Sequence, residues 1–344
     1  MLDGLTHEQQ MLQESTRRFV DEEMLPHEDL VDRDGHVPIE LGRQIESRAK
    51  EIGLFAANLP ENVGGGGLDY TCMAVIEREF GRTSHALHAW VARPTELLLA
   101  TEGAQKEQYL APCVTGAKRE LFALSEPEAG SDIMSMKSNA KRDGDDWILN
   151  GSKHFISGPV MPDFAIVFAA TGCDETPRGS RTRITAFLVD VGMPGFDIQV
   201  GYNCVSYRGY LNFKLDFDNV RLGPDHILGE EGRGLELSGK WLGMGRIWVG
   251  ATCCGKAERL FEMAKSWAAE RKQFGQAIGK FQATGFKLAD MAVELRAADL
   301  LVKDAISKAD QGVMTDSDAA MVKLYCSEML NRVADNTVQI YGGM

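Results

Sequence analysis

Apolar residues recur at helical intervals through the first and the last third of the chain. Such a pattern predicts amphipathic helices, and a glycine or proline marks where each one ends. In the first third, the predicted helices cover residues 8–23, 39–52, 70–81 and 87–100. Thr6 precedes the first helix and suits its capping position. In the last third, the predicted helices cover residues 242–270, 282–311 and 317–340.

The pattern changes in the middle of the chain, where short apolar runs are separated by clusters of Gly, Pro, Asn and Asp. The main runs lie at residues 121–124, 147–149, 164–170, 184–189 and 211–217. Because no long helical pattern separates them, an antiparallel sheet is expected. No GxGxxG motif follows a strand, which argues against a nicotinamide dinucleotide fold. We therefore expect a mostly helical α+β fold, with an N-terminal helical domain (1–118), a middle antiparallel β-sheet domain (119–233) and a C-terminal helical domain (234–344).

Composition narrows the class of protein. The 344 residues are 44% hydrophobic and 25% charged, which is ordinary for a globular protein. The net charge of −13 argues against nucleic-acid binding but leaves anionic substrates open. No apolar run is long enough to predict a membrane span, and the N-terminus lacks the layout of a signal peptide. The spacing of the seven cysteines fits no metal site, so we expect a soluble cytoplasmic protein without a metal.

The segment at residues 121–157 combines two strand signals with two turns that are rich in small residues. These turns read SEPEAGSD at 125–132 and NGSK at 150–153. Small residues let backbone N–H groups approach a ligand closely. Phe155 and Ser157 add an aromatic ring and a hydroxyl, which suit a flat ring with a polar edge. The segment therefore predicts a binding wall for a flat heterocyclic cofactor.

Three charged residues in the first half of the chain have simple structural interpretations. Glu126 and Glu128 lie in the first of these turns, where we expect solvated carboxylates and not a catalytic pair. Arg93 could pair with Glu96 on the surface of a helix. Alternatively, its guanidinium could grip a substrate carboxylate or sulfinate in an acyl pocket.

Motifs for phosphate binding and for hydrolysis are weak. The glycines at 64–67 are not followed by the GK[ST] that ends a phosphate-binding Walker A loop. The segment 234–240 is similar to that loop, but Trp241 follows it where the loop requires Ser or Thr. The chain has no GxSxG and no HExxH motif. Arg271 could pair with Glu270 at a helix end, or hold a diphosphate.

Seven motifs, in order, make the chain resemble the acyl-CoA dehydrogenase family of flavoproteins. The resemblance runs from the first helix to the last residue. Its motifs are SEPEAGSD (125–132), LNGSKHFIS (149–157), DFDNV (216–220), LGEEGRG (228–234), RKQFG (271–275), FQ with LADM (281–282 and 288–291) and QIYGG (339–343).

The resemblance implies FAD as cofactor, a homotetramer or homodimer, and an electron-transferring flavoprotein as electron acceptor. It implies that the flavin ring is contacted by Phe122, Leu124, Ser125, Gly130, Ser131, Phe155, Ile156 and Ser157. It implies that the diphosphate and adenosine are held across a subunit contact by Arg271, Phe274, Gln282, Gln339, Gly342 and Gly343. The substrate-binding residues would be Ser131 and Arg246, with Arg93 as the candidate for the acyl pocket.

The family reaction is α,β-dehydrogenation of an acyl-CoA thioester, in which a carboxylate removes the α proton. In the family this glutamate occupies one of two places. Gly245 stands at the first, immediately before Arg246, and the second lies in a segment that follows the last motif. This chain stops at Met344, so we expect that the sequence is clipped, and no catalytic base is assigned.

The resemblance predicts an FAD-dependent acyl-CoA dehydrogenase with short- or medium-chain specificity, in fatty acid or amino acid catabolism. Two alternatives stay open. Gly245 motivates a divergent relative that binds FAD or acyl-CoA without oxidising it. Arg93 motivates a relative that decarboxylates or desulfinates acidic acyl-CoAs.

Overall fold

The computed structural model describes residues 4–91, 93–177, 179–205 and 207–344, and these form two compact units. The first, the helical unit, contains the residues up to 28 together with 68–88 and 242–344. The second, the sheet unit, contains residues 29–67 and 89–241. None of the helices in the described ranges is long and apolar enough to cross a membrane.

The helices confirm most of the sequence pattern. Thr6 caps the first one, because its side chain accepts a hydrogen bond from the Gln9 N–H and its own N–H donates to the Gln9 side chain. Residues 234–240 form the first turns of a long helix and not a phosphate loop. The helices are α1 (His7–Glu23), α2 (Glu28–Asp34), α3 (Ile39–Glu51), α4 (Tyr70–Phe80), α5 (His85–His88), α6 (Ala111–Thr115), α7 (Gly234–Glu270), α8 (Gln282–Asp310) and α9 (Asp316–Tyr341).

The helix predicted over residues 87–100 is wrong. The short α5 ends at His88, and a 3-10 turn over Glu96–Ala100 follows. Pro94 lies between them, and a residue that precedes proline is disfavoured in the α-helical region. Arg93 therefore lies in a connecting segment and not on a helix surface.

The strands in the described ranges are β1 (Glu120–Ala123), β2 (Asn139–Asp143), β3 (Asp146–Gly158), β4 (Phe164–Thr176), β5 (Gly179–Asp190), β6 (Phe196–Val200), β7 (Leu211–Leu222), β8 (Ile227–Leu228), β9 (Lys272–Gln273) and β10 (Gln276–Ala277). The sheet unit contains a sheet with the strand order β6-β7-β3-β2-β4-β5-β8, and β1 pairs with β4 off this path. The long pairings are antiparallel, as predicted, whereas β1 runs parallel to β4. In the helical unit, β9 and β10 form a separate hairpin.

The core of the sheet unit surrounds β4, whose residues 164–169 are fully buried. A continuous apolar run is typical of a strand that is covered on both faces. Trp147 of β3, Phe187 of β5 and Phe213 of β7 belong to the same core. The Trp147 and Phe187 rings meet edge to face, with centroids 5.9 Å apart. This packing fixes β3, the strand that carries Phe155 and Ser157.

In the helical unit, α4 and α7 lie close enough for their backbones to touch. A Cβ atom added at Gly255 would lie 1.7 Å from the carbonyl oxygen of Arg78, and one at Gly81 would lie 2.1 Å from that of Thr252. Such distances exclude any side chain at these positions unless the helices separate. Glycine is therefore required where the two helices cross.

A buried ion-pair network also joins α4, α7 and α8. The Arg78 guanidinium donates to Glu258 at 2.8 Å and to Asp299 at 3.1 Å. Burial alone would raise the pKa of Glu258, but the hydrogen bonds and charge of Arg78 bring it down to about 2. The network therefore stays charged at neutral pH.

We expect Gly255→Ala to lower the free energy of unfolding by about 1–3 kcal/mol, because the added methyl group overlaps the Arg78 backbone. The control is Gly245→Ala in the same helix, since a Cβ there meets no described atom within 4 Å. That change removes a helical glycine and should stabilise by about 0.5–1 kcal/mol. Denaturant midpoints measure both, and equal effects would contradict the close crossing.

Candidate functional site

A buried ion pair joins the turn at 125–132 to strand β3. The second predicted turn, at residues 150–153, is wrong, because these residues lie inside β3, where residues 151–153 pair with β7. Lys153 Nζ lies 2.7 Å from Glu126 Oε1, and the two side chains are 0% and 3% exposed. Lys153 also donates to the Leu124 carbonyl at 3.0 Å. The Glu126 carboxylate accepts the backbone N–H groups of Lys137 at 2.6 Å and Ser138 at 3.1 Å. One charge pair therefore holds the turn after β1, the start of β2 and the middle of β3 together.

The expectation that Glu126 is a solvated carboxylate is wrong, whereas Glu128 is exposed as expected. Burial raises the pKa of Glu126, but the hydrogen bond from Lys153 and those from Lys137 and Ser138 outweigh it and hold the pKa below its usual value. Burial in turn lowers the pKa of Lys153, a shift that Glu126 only partly opposes. Glu126 is thus a structural anchor for the turn.

Phe155 lies in a bulge that the neighbouring turn imposes on β3. The N–H of His154 donates to the carbonyl of Ser125 at 3.0 Å, instead of joining the ladder with β7. Lys153 and Ile156 pair with Leu215 and Phe213, so two residues of β3 oppose one residue of β7. Phe155 adopts a φ of 56°, a left-handed conformation that is unusual for a bulky residue.

This conformation turns the Phe155 ring outward, and the residue is 59% exposed. The ring lies 5.0 Å from that of Tyr202, with a tilt of 34°, and 4.2 Å from that of His154. Strained backbone at an exposed aromatic is found disproportionately at ligand-binding sites. Ser157, two residues on, is also exposed, and its hydroxyl accepts a hydrogen bond from Asn212.

The other expected flavin contacts of the sheet unit differ in burial and in the groups that they touch. Phe122 packs against Trp241, with ring centroids 4.3 Å apart. Leu124 is buried and Ser125 is half-buried. Their carbonyl groups accept hydrogen bonds from Lys153 and His154 of β3. Ile156 is buried beneath the bulge. Gly130 and Ser131 lie exposed in the turn.

The expected residues of the helical unit lie at two exposed places. Arg271, Phe274 and Gln282 lie in or beside the β9–β10 hairpin, and Phe274 at its tip is 93% exposed, with a φ of 52°. Gln339 lies in the last turn of α9, and Gly342 follows its end. Gly343 comes directly after Gly342 and is also exposed.

The two expected substrate contacts that are arginines are both half-buried. Arg246 lies within α7, in the helical unit. Arg93 lies in the sheet unit, where its positive charge acts to lower the pKa of Tyr210. Burial has the larger effect on that hydroxyl and raises its pKa to about 12.

Sequence reasoning missed four residues that shape the site: Lys153, Tyr202, Asn212 and Trp241. The lysine stood within a recognised motif, but its partner lies 27 residues away along the chain. The other three reach the segment only through the folded sheet or the start of α7. The alternating pattern in β7 indicates which side chains share a face of the sheet, but the contact of Asn212 with Ser157 depends on the register of β7 with β3.

We expect Lys153→Met to cost about 3–5 kcal/mol in the free energy of unfolding, because it leaves the Glu126 carboxylate buried without a counter-charge. Lys214→Met in β7 is the matched control. Its ion pair with Asp216 has a similar length, 2.8 Å, but both side chains are well exposed. Chemical denaturation should show a large loss for the first variant and little change for the second, and similar losses would contradict the assignment.

The lowered pKa of Glu126 also predicts a pH dependence. Its ionised form is favoured by folding, so its contribution is complete above its unfolded pKa of about 4.3 and is lost as the pH falls through the lower folded value. We expect wild type to exceed Glu126→Gln by about 3 kcal/mol at pH 7 and by progressively less below about pH 4. Glu128→Gln, an exposed neighbour, should match wild type throughout. A difference that is independent of pH would contradict this account.

Three family models match the sequence along nearly its whole length. The model of the acyl-CoA dehydrogenase N-terminal domain matches residues 6–117, that of the middle domain matches 121–220, and that of the C-terminal domain matches 232–344.

Two curated relatives show the same similarity. The caffeyl-CoA reductase–Etf complex subunit CarC of Acetobacterium woodii is 34% identical over 344 residues, which cover 98% of this chain and 89% of the relative. The mitochondrial short-chain specific acyl-CoA dehydrogenase of Homo sapiens is 34% identical over 340 residues, which cover 97% of this chain and 81% of the relative.

Solved structures agree with the sequence comparisons. Butyryl-CoA dehydrogenase from Megasphaera elsdenii is 32% identical and superposes with a TM-score of 0.88, covering 100% of this chain and 90% of that one. An acyl-CoA dehydrogenase complexed with FAD from Bacillus anthracis is 26% identical, with a TM-score of 0.87 over 99% of this chain and 61% of that one. Sequence and fold agree along the whole chain, and the protein therefore belongs to the acyl-CoA dehydrogenase family of enzymes.

Proposed function

We propose that the protein is an FAD-dependent enzyme that removes the α and β hydrogens of a short- or medium-chain acyl-CoA thioester. We propose further that it passes the electrons to an electron-transferring flavoprotein. One relative is named for short-chain specificity, one neighbour is a butyryl-CoA dehydrogenase, and another relative is named as a subunit of a reductase–Etf complex. The observation that carries the proposal is the exposed ring of Phe155 beside the exposed hydroxyl of Ser157.

The residues of the sheet unit fit a flavin ring. Phe155 offers an outward aromatic face, and Ser157 offers a hydroxyl at the same surface of β3. We propose that Phe122 in β1 and Ser125 in the turn that follows it also contact the ring. Gly130 and Ser131 leave the backbone of that turn accessible, since a Cβ at Gly130 would meet no described atom within 4 Å. When bound there, FAD supplies the two-electron acceptor.

The helical unit would hold the diphosphate and the adenosine of a cofactor bound to a second copy of the chain. Phe274 projects from a hairpin tip and is 93% exposed, which is costly for an aromatic ring unless a partner covers it. Arg271 at the base of that hairpin carries a guanidinium that suits a diphosphate. Gln282, Gln339, Gly342 and Gly343 would complete this contact.

A row of exposed apolar side chains on α8 and α9 supports a homodimer or homotetramer. These residues are between 49% and 69% exposed, far more than expected for large apolar groups on a surface without a partner. They are Phe286, Val293, Leu300, Met321, Leu324 and Val338.

The substrate thioester requires polarisation of its carbonyl and a desolvated carboxylate near its α carbon. We propose that Ser131 and Arg246 contact the CoA portion. Gly245 cannot act as the base, because it has no side chain, and no catalytic base is assigned among the described residues. Arg93 in the sheet unit would contact the acyl portion, and it would favour an acid group there.

The test is FAD binding followed by anaerobic reduction with a panel of thioesters. We expect one FAD per chain, bleaching by butyryl-CoA or octanoyl-CoA, and reoxidation by an electron-transferring flavoprotein. Phe155→Ala should weaken FAD binding about tenfold, because it removes the stacking surface. Met161→Ala, an exposed apolar control in the same unit, should not. Protein that binds no FAD would overturn the proposal, and bleaching only by dicarboxylic acyl-CoAs would replace its substrate class.

A further inference from the structure

Asn212 is a buried amide that contacts Ser157 directly. It lies in β7 opposite Ser157 of β3, in antiparallel register, and it is 6% exposed. Its side-chain Nδ2 donates a hydrogen bond to Ser157 Oγ at 3.2 Å. Its main-chain carbonyl oxygen accepts the N–H of Gly201 at 2.6 Å, and this hydrogen bond fixes the backbone of β7 at this point. The amide group is therefore held in one place relative to the hydroxyl.

The other end of the same amide has no partner. Asn212 Oδ1 is buried and accepts no hydrogen bond from any atom in the described part of the chain. A buried carbonyl without a donor is destabilising, and an apolar side chain of similar size would avoid this cost. Stability alone does not explain an asparagine here. The group that an asparagine supplies here, and an apolar side chain would lack, is the Nδ2 donor that faces Ser157.

A serine hydroxyl has one hydrogen to donate and two lone pairs that accept. The contact with Asn212 Nδ2 occupies a lone pair of Ser157 Oγ, so the hydroxyl hydrogen must point elsewhere. Ser157 is exposed on the surface that carries the Phe155 ring. The hydrogen is therefore free to point out from the sheet, toward a ligand at that surface.

We propose that Asn212 is a positioning residue that presets the Ser157 hydroxyl as a hydrogen-bond donor to the flavin ring. The inference rests on the proposed function, because it requires FAD at the surface of Phe155 and Ser157. Asn212 acts only through Ser157 and does not itself touch the cofactor. Its effect must therefore disappear when the Ser157 hydroxyl is absent.

The test is a double-mutant cycle with two readouts, the dissociation constant for FAD and the midpoint potential of the bound flavin. In Asn212→Asp, the carboxylate can only accept, so the Ser157 hydroxyl turns inward to donate to it. We expect the FAD dissociation constant to rise about tenfold, with a shift of the potential in the same direction as in Ser157→Ala. In the Ser157→Ala background, Asn212→Asp should change neither quantity further.

Two additional variants separate positioning from a purely structural role. Asn212→Leu removes both the donor and the unpartnered carbonyl, so its melting temperature should equal or exceed that of wild type while FAD binding weakens. This variant also keeps the test valid if Asn212→Asp does not fold. Asn150→Asp is the matched control, because Asn150 is another amide that links β3 to β7, through Asn219. It should leave the potential unchanged.

The outcomes distinguish this inference from the proposed function. If wild type binds FAD and the Asn212 variants retain its affinity and potential, the inference is overturned and the function stands. Equal effects of Asn212→Asp with and without the Ser157 hydroxyl would also overturn it. If wild type binds no FAD, both proposals fall together.

Discussion

The buried pair of Glu126 and Lys153 is the constraint on which the candidate site depends. Two charges are removed from water, and each finds its partner and additional backbone groups within hydrogen-bonding distance. Removing one member would leave the other buried and unpaired, which costs far more than the net value of the pair. The pair fixes the turn after β1 against the middle of β3, and the Ser125 carbonyl can then take the His154 N–H. The bulge at Phe155 follows from that arrangement.

Two features near this ion pair lower the stability of the fold, and both fix the orientation of exposed groups. Phe155 adopts a left-handed backbone conformation, which costs on the order of 1–3 kcal/mol. Asn212 buries a carbonyl without a donor in the described residues. Both features lie beside the surface that presents an aromatic ring and a hydroxyl. Sites that must hold a ligand in one geometry commonly sacrifice stability in this way.

The sequence predicted the fold class, the long helices and the turn at 125–132, because periodicity and turn residues are local properties. It did not predict that residues 150–153 lie inside β3. It could not predict that Glu126 is buried, since that burial depends on the ion pair with Lys153 of β3, which is distant along the chain. It also missed β2, whose sequence NAKRD has no apolar pattern and pairs through its backbone. The prediction of a helix over residues 87–100 is wrong, because it followed the apolar residues of this segment and did not take account of Pro94, which disfavours a helix at the preceding residue. The role of Asn212 required the register of β3 with β7.

The most direct test of this account is amide hydrogen exchange in wild type and in Lys153→Met. Three amides depend on the ion pair: those of Lys137 and Ser138, which donate to Glu126, and that of His154, which donates to Ser125. We expect all three to lose protection together in the variant, while amides of the β4–β5 pairing keep theirs. Wild-type protection at these three amides in the variant would contradict the claim that one buried pair holds the site together.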